Sequence, residues 1–192
     1  MNTDFLTRFD PLAGTVVGYP VVERRLSQLA GVFADTAVYR QTLAQSDPLI
    51  YSVASVTLAE GDGQLHYGVG KIMPGRIGQE YFMTRGHLHE WREAAEIYIG
   101  LSGSGLMLLE DEKTGESKVL ELGVNTAVYV PAFTAHRTIN IGDTPLTYIG
   151  IYPARAGHDY GALAEQNFRQ VVIAQDGKPV LLDRQTFRLD QS

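Results

Sequence analysis

Three histidines and one glutamate carry the chemistry this sequence offers. The stretch GHLHEWREAAEIYIGLSGSG, Gly86 to Gly105, holds His87, His89 and Glu96, and the later segment PAFTAHRTIN adds His136. Two histidines two apart share one face of a β-strand, because side chains alternate along it. Glu96 lies beyond a turn-sized gap in EIYIGL, which reads as the next strand, and His136 fits a third. Three imidazoles and a carboxylate converging inside a barrel would hold one divalent metal and leave positions open for a ligand. Spacing alone leaves the choice of acid open. Glu90, next to His89, would point to the opposite face of a continuing strand, and Glu93 sits in the turn WREAA. Glu96 shares a face with Tyr98 and opposes Ile97 and Ile99. Either that polar face lines a cavity, or the isoleucines form the core and Glu96 meets solvent.

The elements that must position these groups follow from composition and pattern. The chain has 192 residues, 44% of them hydrophobic and 20% charged, which is ordinary for a globular protein of one domain. A net charge of -6 argues against nucleic acid, which calls for a basic face. The absence of cysteine excludes disulfides, thiolate metal sites and a cysteine nucleophile. Neither a secretory signal nor a long apolar run is present, so no membrane span and a cytoplasmic location are expected.

Residues 1–49 read as an N-terminal extension with two short helices. VERRLSQLAGVF, Val22–Phe33, has helical spacing with Leu26, Leu29 and Val32 on one face. Asp35 caps a second helix, which Asp47-Pro48 ends. From Ile50 the pattern turns to short β-rich runs separated by Gly, Asn and Asp turns, so an all-β barrel is expected over about 50–160. EYFMTRGHLH is one of those strands. SGSG, Ser102 to Gly105, lacks the lysine and following helix of a phosphate loop and reads as a hairpin turn. Tyr148, Gly150 and Tyr152 share a face of LTYIGIYP, which reads first as aromatic packing. Over 161–192, GALAEQNFRQ reads as a short helix and VVIAQDGKPVLLD as a hairpin turning at Asp-Gly.

HxH-x6-E-x6-G followed by P-x4-H-x3-N resembles the cupin metal signature. Two of its usual glycines are replaced, by Tyr81 and Phe133. More specifically, TRGHLHEWREAAEIYIGLSGSGLMLL and VYVPAFTAHRTINIGDTPLTYIGIYPARAGHDYG resemble the cupin-type glucose-6-phosphate isomerases. The resemblance implies a cupin double-stranded β-helix, or jelly-roll barrel, that works as a homodimer on a sugar phosphate. It implies one divalent ion per subunit, iron(II) first, with manganese, nickel or zinc as alternatives. Metal ligands carry over onto His87, His89, Glu96 and His136. Substrate contacts carry over onto Tyr51, Thr84, Gly86, Tyr98, Tyr152, His158 and Tyr160, with Glu96, Tyr152 and His158 as the residues of the reaction itself. Gly70 departs from the family, which often has a threonine near this position that helps hold the phosphate. Lys71 would suit a phosphate but has the opposite strand parity. Thr84 has the wrong parity to share the face of His87 unless a bulge at Gly86 intervenes or the phosphate is held at the barrel rim. A metal-dependent cupin dioxygenase and a non-catalytic sugar-binding cupin are the rival readings, because a fold and its ligands do not fix a reaction.

Overall fold

Alternation from Leu49 onward builds antiparallel strands throughout. The computed structural model describes residues 5–164 and 167–190. In chain order the elements are β1 (Phe9–Asp10), β2 (Thr15–Val16), β3 (Val21–Arg25), α1 (Thr36–Gln45), β4 (Leu49–Val56), β5 (Leu65–Ile72), β6 (Arg76–Ile77), β7 (Glu80–Tyr81), β8 (Glu96–Ser102), β9 (Ser104–Asp111), β10 (Ser117–Gly123), β11 (Ala127–Val130), β12 (Thr134–Asn140), β13 (Leu146–Pro153), β14 (Gln170–Gln175), β15 (Lys178–Asp183) and α2 (Arg184–Asp190). A six-stranded sheet runs β11-β8-β13-β5-β4-β3, and a three-stranded sheet runs β10-β9-β12. The chain leaves the larger sheet at β8 for β9 and β10, returns at β11, crosses to β12 and returns at β13. That exchange between two sheets is the jelly-roll order expected from the sequence. Met107, Leu122, Ile139 and Leu146, drawn from both sheets, are fully shielded in one apolar cluster.

The middle of the larger sheet is almost bare on its concave side. Gly150 of β13 pairs with Gly68 of β5, and Tyr148 pairs with Gly70. Glycine weakens a strand but leaves room beside it, and the room here becomes a cavity. Val16 is buried with Ala54, Val56 and Val69, so the N-terminal segment covers the opposite, convex side.

Several local expectations change. Val22–Phe33 is not a helix: β3 pairs with β4 at the sheet edge, and a single 3-10 turn follows at Leu26–Gln28. Leu26, Leu29 and Val32 are buried as their spacing implied. The β-branched pair Val21-Val22 and the open edge of β4 decide for a strand. α1 forms as expected, with the amide of Val38 donating to Asp35 Oδ1 at 2.9 Å. Ser102–Gly105 is a corner rather than a hairpin, since β8 and β9 lie in different sheets and Gly103 makes the turn at φ +76°. Within EYFMTRGHLH only β7 is regular; Met83, His87 and Leu88 make isolated bridges. The helix expected in GALAEQNFRQ is one 3-10 turn, Gly161–Leu163, and residues 165–166 lie outside the described part. The C-terminal hairpin forms around Asp176-Gly177, both at positive φ, as a turn matched to strand twist requires. α2 was not expected; its first amides donate to Asp183 Oδ1. Among the described residues, no helix is long and apolar enough to cross a membrane.

Candidate metal centre

His87 and His136 meet through their backbones. The amide of His136 donates to the carbonyl of His87 at 3.0 Å, and the return bond is 3.2 Å. This bridge needs Gly86. Its φ is +77°, and a Cβ there would come within 2.6 Å of Phe168 Cε2 and 3.1 Å of the His136 carbonyl oxygen. The left-handed turn at Gly86 resolves the parity conflict, because both Thr84 and His87 line the same cavity. His89 follows on the same side, while Leu88 between them packs into the core. Glu96 opens β8. Glu90 and Glu93 are exposed, whereas Glu96 is 4% exposed and Ile97 42%. The polar face of that strand is therefore the inner one.

Two of the three imidazoles are oriented by a second contact. His89 Nδ1 lies 3.2 Å from the Ala94 carbonyl, and His136 Nδ1 lies 3.1 Å from the Thr134 carbonyl. A carbonyl only accepts, so both Nδ1 atoms carry the proton and both Nε2 atoms face the site. His89 Nε2 is 3.2 Å and His136 Nε2 3.1 Å from Glu96 Oε2. Nε2 of His87 and of His136 are buried with no aligned hydrogen-bond partner among the described residues. One donor atom from each of His87, His89, Glu96 and His136 lies within 4.8 Å of the others. Buried lone pairs gathered around a carboxylate are what a divalent cation satisfies, so the residues present fit a metal.

Burial, helped by the neighbouring His136, His158 and His89, holds His87 well below the ordinary histidine value. Its imidazole is neutral and able to ligate. Burial alone would raise Glu96, but the adjacent imidazoles of His136 and His89 outweigh it and bring the carboxyl to about 2.

His87, Glu96 and His136 form one wall of a cavity of about 230 Å³. The other residues expected at the site, Tyr51, Thr84, Gly86, Tyr98, Tyr152, His158 and Tyr160, also line it. His89 sits behind the lining. His158 lies 4.5 Å from His87, ring centre to ring centre, and stacks on Tyr160 at 6.0 Å. Tyr152 meets His158 edge-on at 5.7 Å. Burial, then the Glu96 charge, raises Tyr98 and Tyr152, so both phenols stay protonated donors. Burial lowers His158 despite the opposing pull of Glu96.

Other residues land differently from their first reading. Tyr148 is buried packing and also cavity wall. Lys71 packs under Gly14 on the convex side, away from the cavity. His66, without an evident partner in sequence, pairs its Nε2 with the Ala59 carbonyl at 2.9 Å. Phe133, in place of a signature glycine, keeps the glycine conformation at φ +57°. Backbone bonds to Arg92 and Glu112 hold it there. Sequence reasoning missed Arg24, Arg85 and Arg137, which line the cavity. Arg24 is two residues from Val22, a parity visible once β3 is read as a strand, and Arg85 stands between Thr84 and Gly86.

A family model described as Glucose-6-phosphate isomerase (GPI) matches residues 23–187. A glucose-6-phosphate isomerase of Pyrococcus horikoshii is 41% identical over 171 residues, covering 89% of this chain and 90% of that one. One of Sinorhizobium medicae is 38% identical over 157 residues, covering 81% and 73%. A solved structure of oxalate oxidase has a TM-score of 0.48 and 15% identity, over 61% of this chain and 59% of that one. Matched along most of its length, and carrying a histidine-glutamate cluster inside a jelly-roll barrel, the chain belongs to the glucose-6-phosphate isomerase family built on the cupin fold.

Proposed function

We propose that this protein interconverts glucose 6-phosphate and fructose 6-phosphate, with one divalent metal per chain held by His87, His89, Glu96 and His136. The observation that carries this reading is the position of that ligand set on the wall of a cavity whose other walls present phenols, an imidazole and a hydroxyl. Tyr98, Tyr152, His158, Tyr160 and Thr84 suit a hydroxylated substrate. A dioxygenase with an apolar substrate has no use for such a lining. Iron(II) is the proposed ion; imidazole and carboxylate donors also take manganese, nickel and zinc.

The exchange moves one hydrogen between C1 and C2 and changes which carbon carries the carbonyl. A divalent ion at this site would supply Lewis acidity toward the substrate oxygens. The chain's own residues do the rest. Glu96 turns Oε2 toward His89 and His136, while Oε1 lies beside Gly150 at the cavity wall. Oε1 is the atom that would take a proton from C2 and return it to C1. If hydrogen instead passes directly between the carbons, Glu96 serves only as ligand. With glucose 6-phosphate as substrate in deuterium oxide, appearance of solvent deuterium at C1 of the fructose 6-phosphate formed separates the two routes. Tyr152 and His158 hold the sugar hydroxyls, assist ring opening and carry the hydroxyl proton that passes between O2 and O1. Thr84, the Gly86 amide and the hydroxyls of Tyr51 and Tyr160 orient the remote phosphate, whose binding energy places the reacting carbons.

A cytoplasmic homodimer is part of the proposal. Phe5, Leu6, Leu12 and Val17 are 76%, 63%, 71% and 74% exposed, a surface that a second copy would cover. Light scattering of the purified protein reads the dimer directly.

The functional test is a coupled assay offering fructose 6-phosphate to chelator-treated protein, then to protein reloaded with iron(II) or manganese(II). Glucose 6-phosphate formed after reloading, and lost in His136→Ala, supports the reading. A stoichiometrically bound ion with no product transfers the site to oxygen chemistry or sugar binding.

A further inference from the structure

We propose that Arg24 and Arg85 form the cationic clamp for the substrate phosphate at the mouth of the cavity. The inference rests on the sugar-phosphate reading and deepens it. Both residues line the same cavity as the candidate metal centre. Arg24 stands in register beside Tyr51 across β3 and β4. Arg85 lies over Tyr160, with its Cζ 5.8 Å from the ring centre. The two arginines therefore flank the phenols already proposed for the phosphate.

Three further observations select them. First, neither has a carboxylate within ion-pair distance among the described residues. The charge is not consumed by a structural partner. Second, each is tethered yet keeps donors free. Arg85 Nη2 donates to the Gln28 carbonyl at 2.5 Å, and Arg24 Nη1 to the Glu23 carbonyl at 3.0 Å. A guanidinium has five N–H donors, so among the described residues most have no partner and remain for a ligand. Third, the chain carries a net charge of -6, yet among the described residues Glu96 is the one carboxylate on the lining, against three arginines. Cations concentrated at a cavity of an acidic protein point to an anion, and a planar fork of donors matches phosphate.

The third arginine has a different part. Arg137 is 2% exposed, and its Nη2 donates to the Arg85 carbonyl at 2.5 Å and to Asn167 Oδ1 at 2.9 Å. It positions the Arg85 backbone from below. Lys71 is excluded by its place under Gly14.

The test compares the metal-loaded parent with Arg24→Gln, Arg85→Gln and Arg24→Lys. Turnover of fructose 6-phosphate and calorimetric binding of inorganic phosphate are measured together, with metal content and melting temperature as controls. A lost charge-assisted contact is expected to raise KM and weaken phosphate binding by about tenfold to hundredfold. Metal content should hold, and Arg24→Lys should recover part of the loss. If KM and phosphate binding stay within about twofold of the parent in both Gln variants, the clamp is overturned while the isomerase reading stands. If the parent binds phosphate and the Gln variants do not, but no form turns over the sugar, the clamp stands and the isomerase reading falls.

Discussion

The ring of Tyr148 lies across Gly70. A Cβ built on Gly70 would come within 2.5 Å of the Tyr148 hydroxyl oxygen and 2.7 Å of its Cε2, and the two residues are register partners on β13 and β5. The phenol occupies the space that a threonine side chain would take at position 70. Tyr148 thus fills the space beside Gly70, and its hydroxyl makes that part of the cavity wall polar.

Gly70→Thr is expected to destabilise the fold by about 1–3 kcal/mol, the usual cost of overpacking a tight interior. Thermal unfolding reads it. In Tyr148→Ala the space is empty, so Gly70→Thr should cost far less in that background. A double-mutant cycle should return a coupling energy of about 1 kcal/mol or more; additive effects would mean the ring moves aside freely.

Gly150 and Gly68 face each other in the same sheet, yet one added methyl should act differently at each. At Gly150 a Cβ would press to 2.6 Å from Glu96 Oε1, so Gly150→Ala should displace the carboxylate and lower metal affinity. At Gly68 the nearest atom is Val53 Cγ1 at 3.4 Å. Gly68→Ala should fold normally, keep its metal and raise KM by narrowing the cavity. Metal analysis alongside steady-state kinetics separates the cases, and equal metal loss in both would contradict this geometry.

Removing His158 should lower kcat by about a hundredfold or more, the usual share of a positioned proton carrier, without changing metal content. Burial lowers this histidine, so its neutral ring persists as pH falls below the ordinary histidine range. The acid limb of kcat in the parent is therefore expected below that range. His158→Gln should reshape that limb; a profile merely scaled down at every pH would assign the limb to another group.

The placing of His87 and His89 together was legible because it depends on a local rule. HxH places two imidazoles on one side even though residues 82–89 form bridges rather than a regular strand, since alternation survives locally. The cap at Asp35 and the Asp176-Gly177 turn were readable for the same reason. Long-range pairing was not. Val22–Phe33 carries a helical spacing of leucines, and only the open edge of β4 turns its start into a strand. That error concealed Arg24, whose inward direction follows from strand parity alone. The choice of Glu96 over Glu90 and Glu93, and the crossing between sheets at Gly103, likewise depend on which face of a strand the rest of the barrel covers.

The most direct test of a metal-dependent isomerase is a titration of metal-free protein with manganese(II), following bound ion and fructose 6-phosphate turnover on the same samples. Activity should rise in proportion to occupancy and stop at one ion per chain, with His136→Ala neither binding nor turning over. Full activity in the metal-free protein, or turnover that does not follow occupancy, would contradict the assignment of His87, His89, Glu96 and His136 as the centre of the reaction.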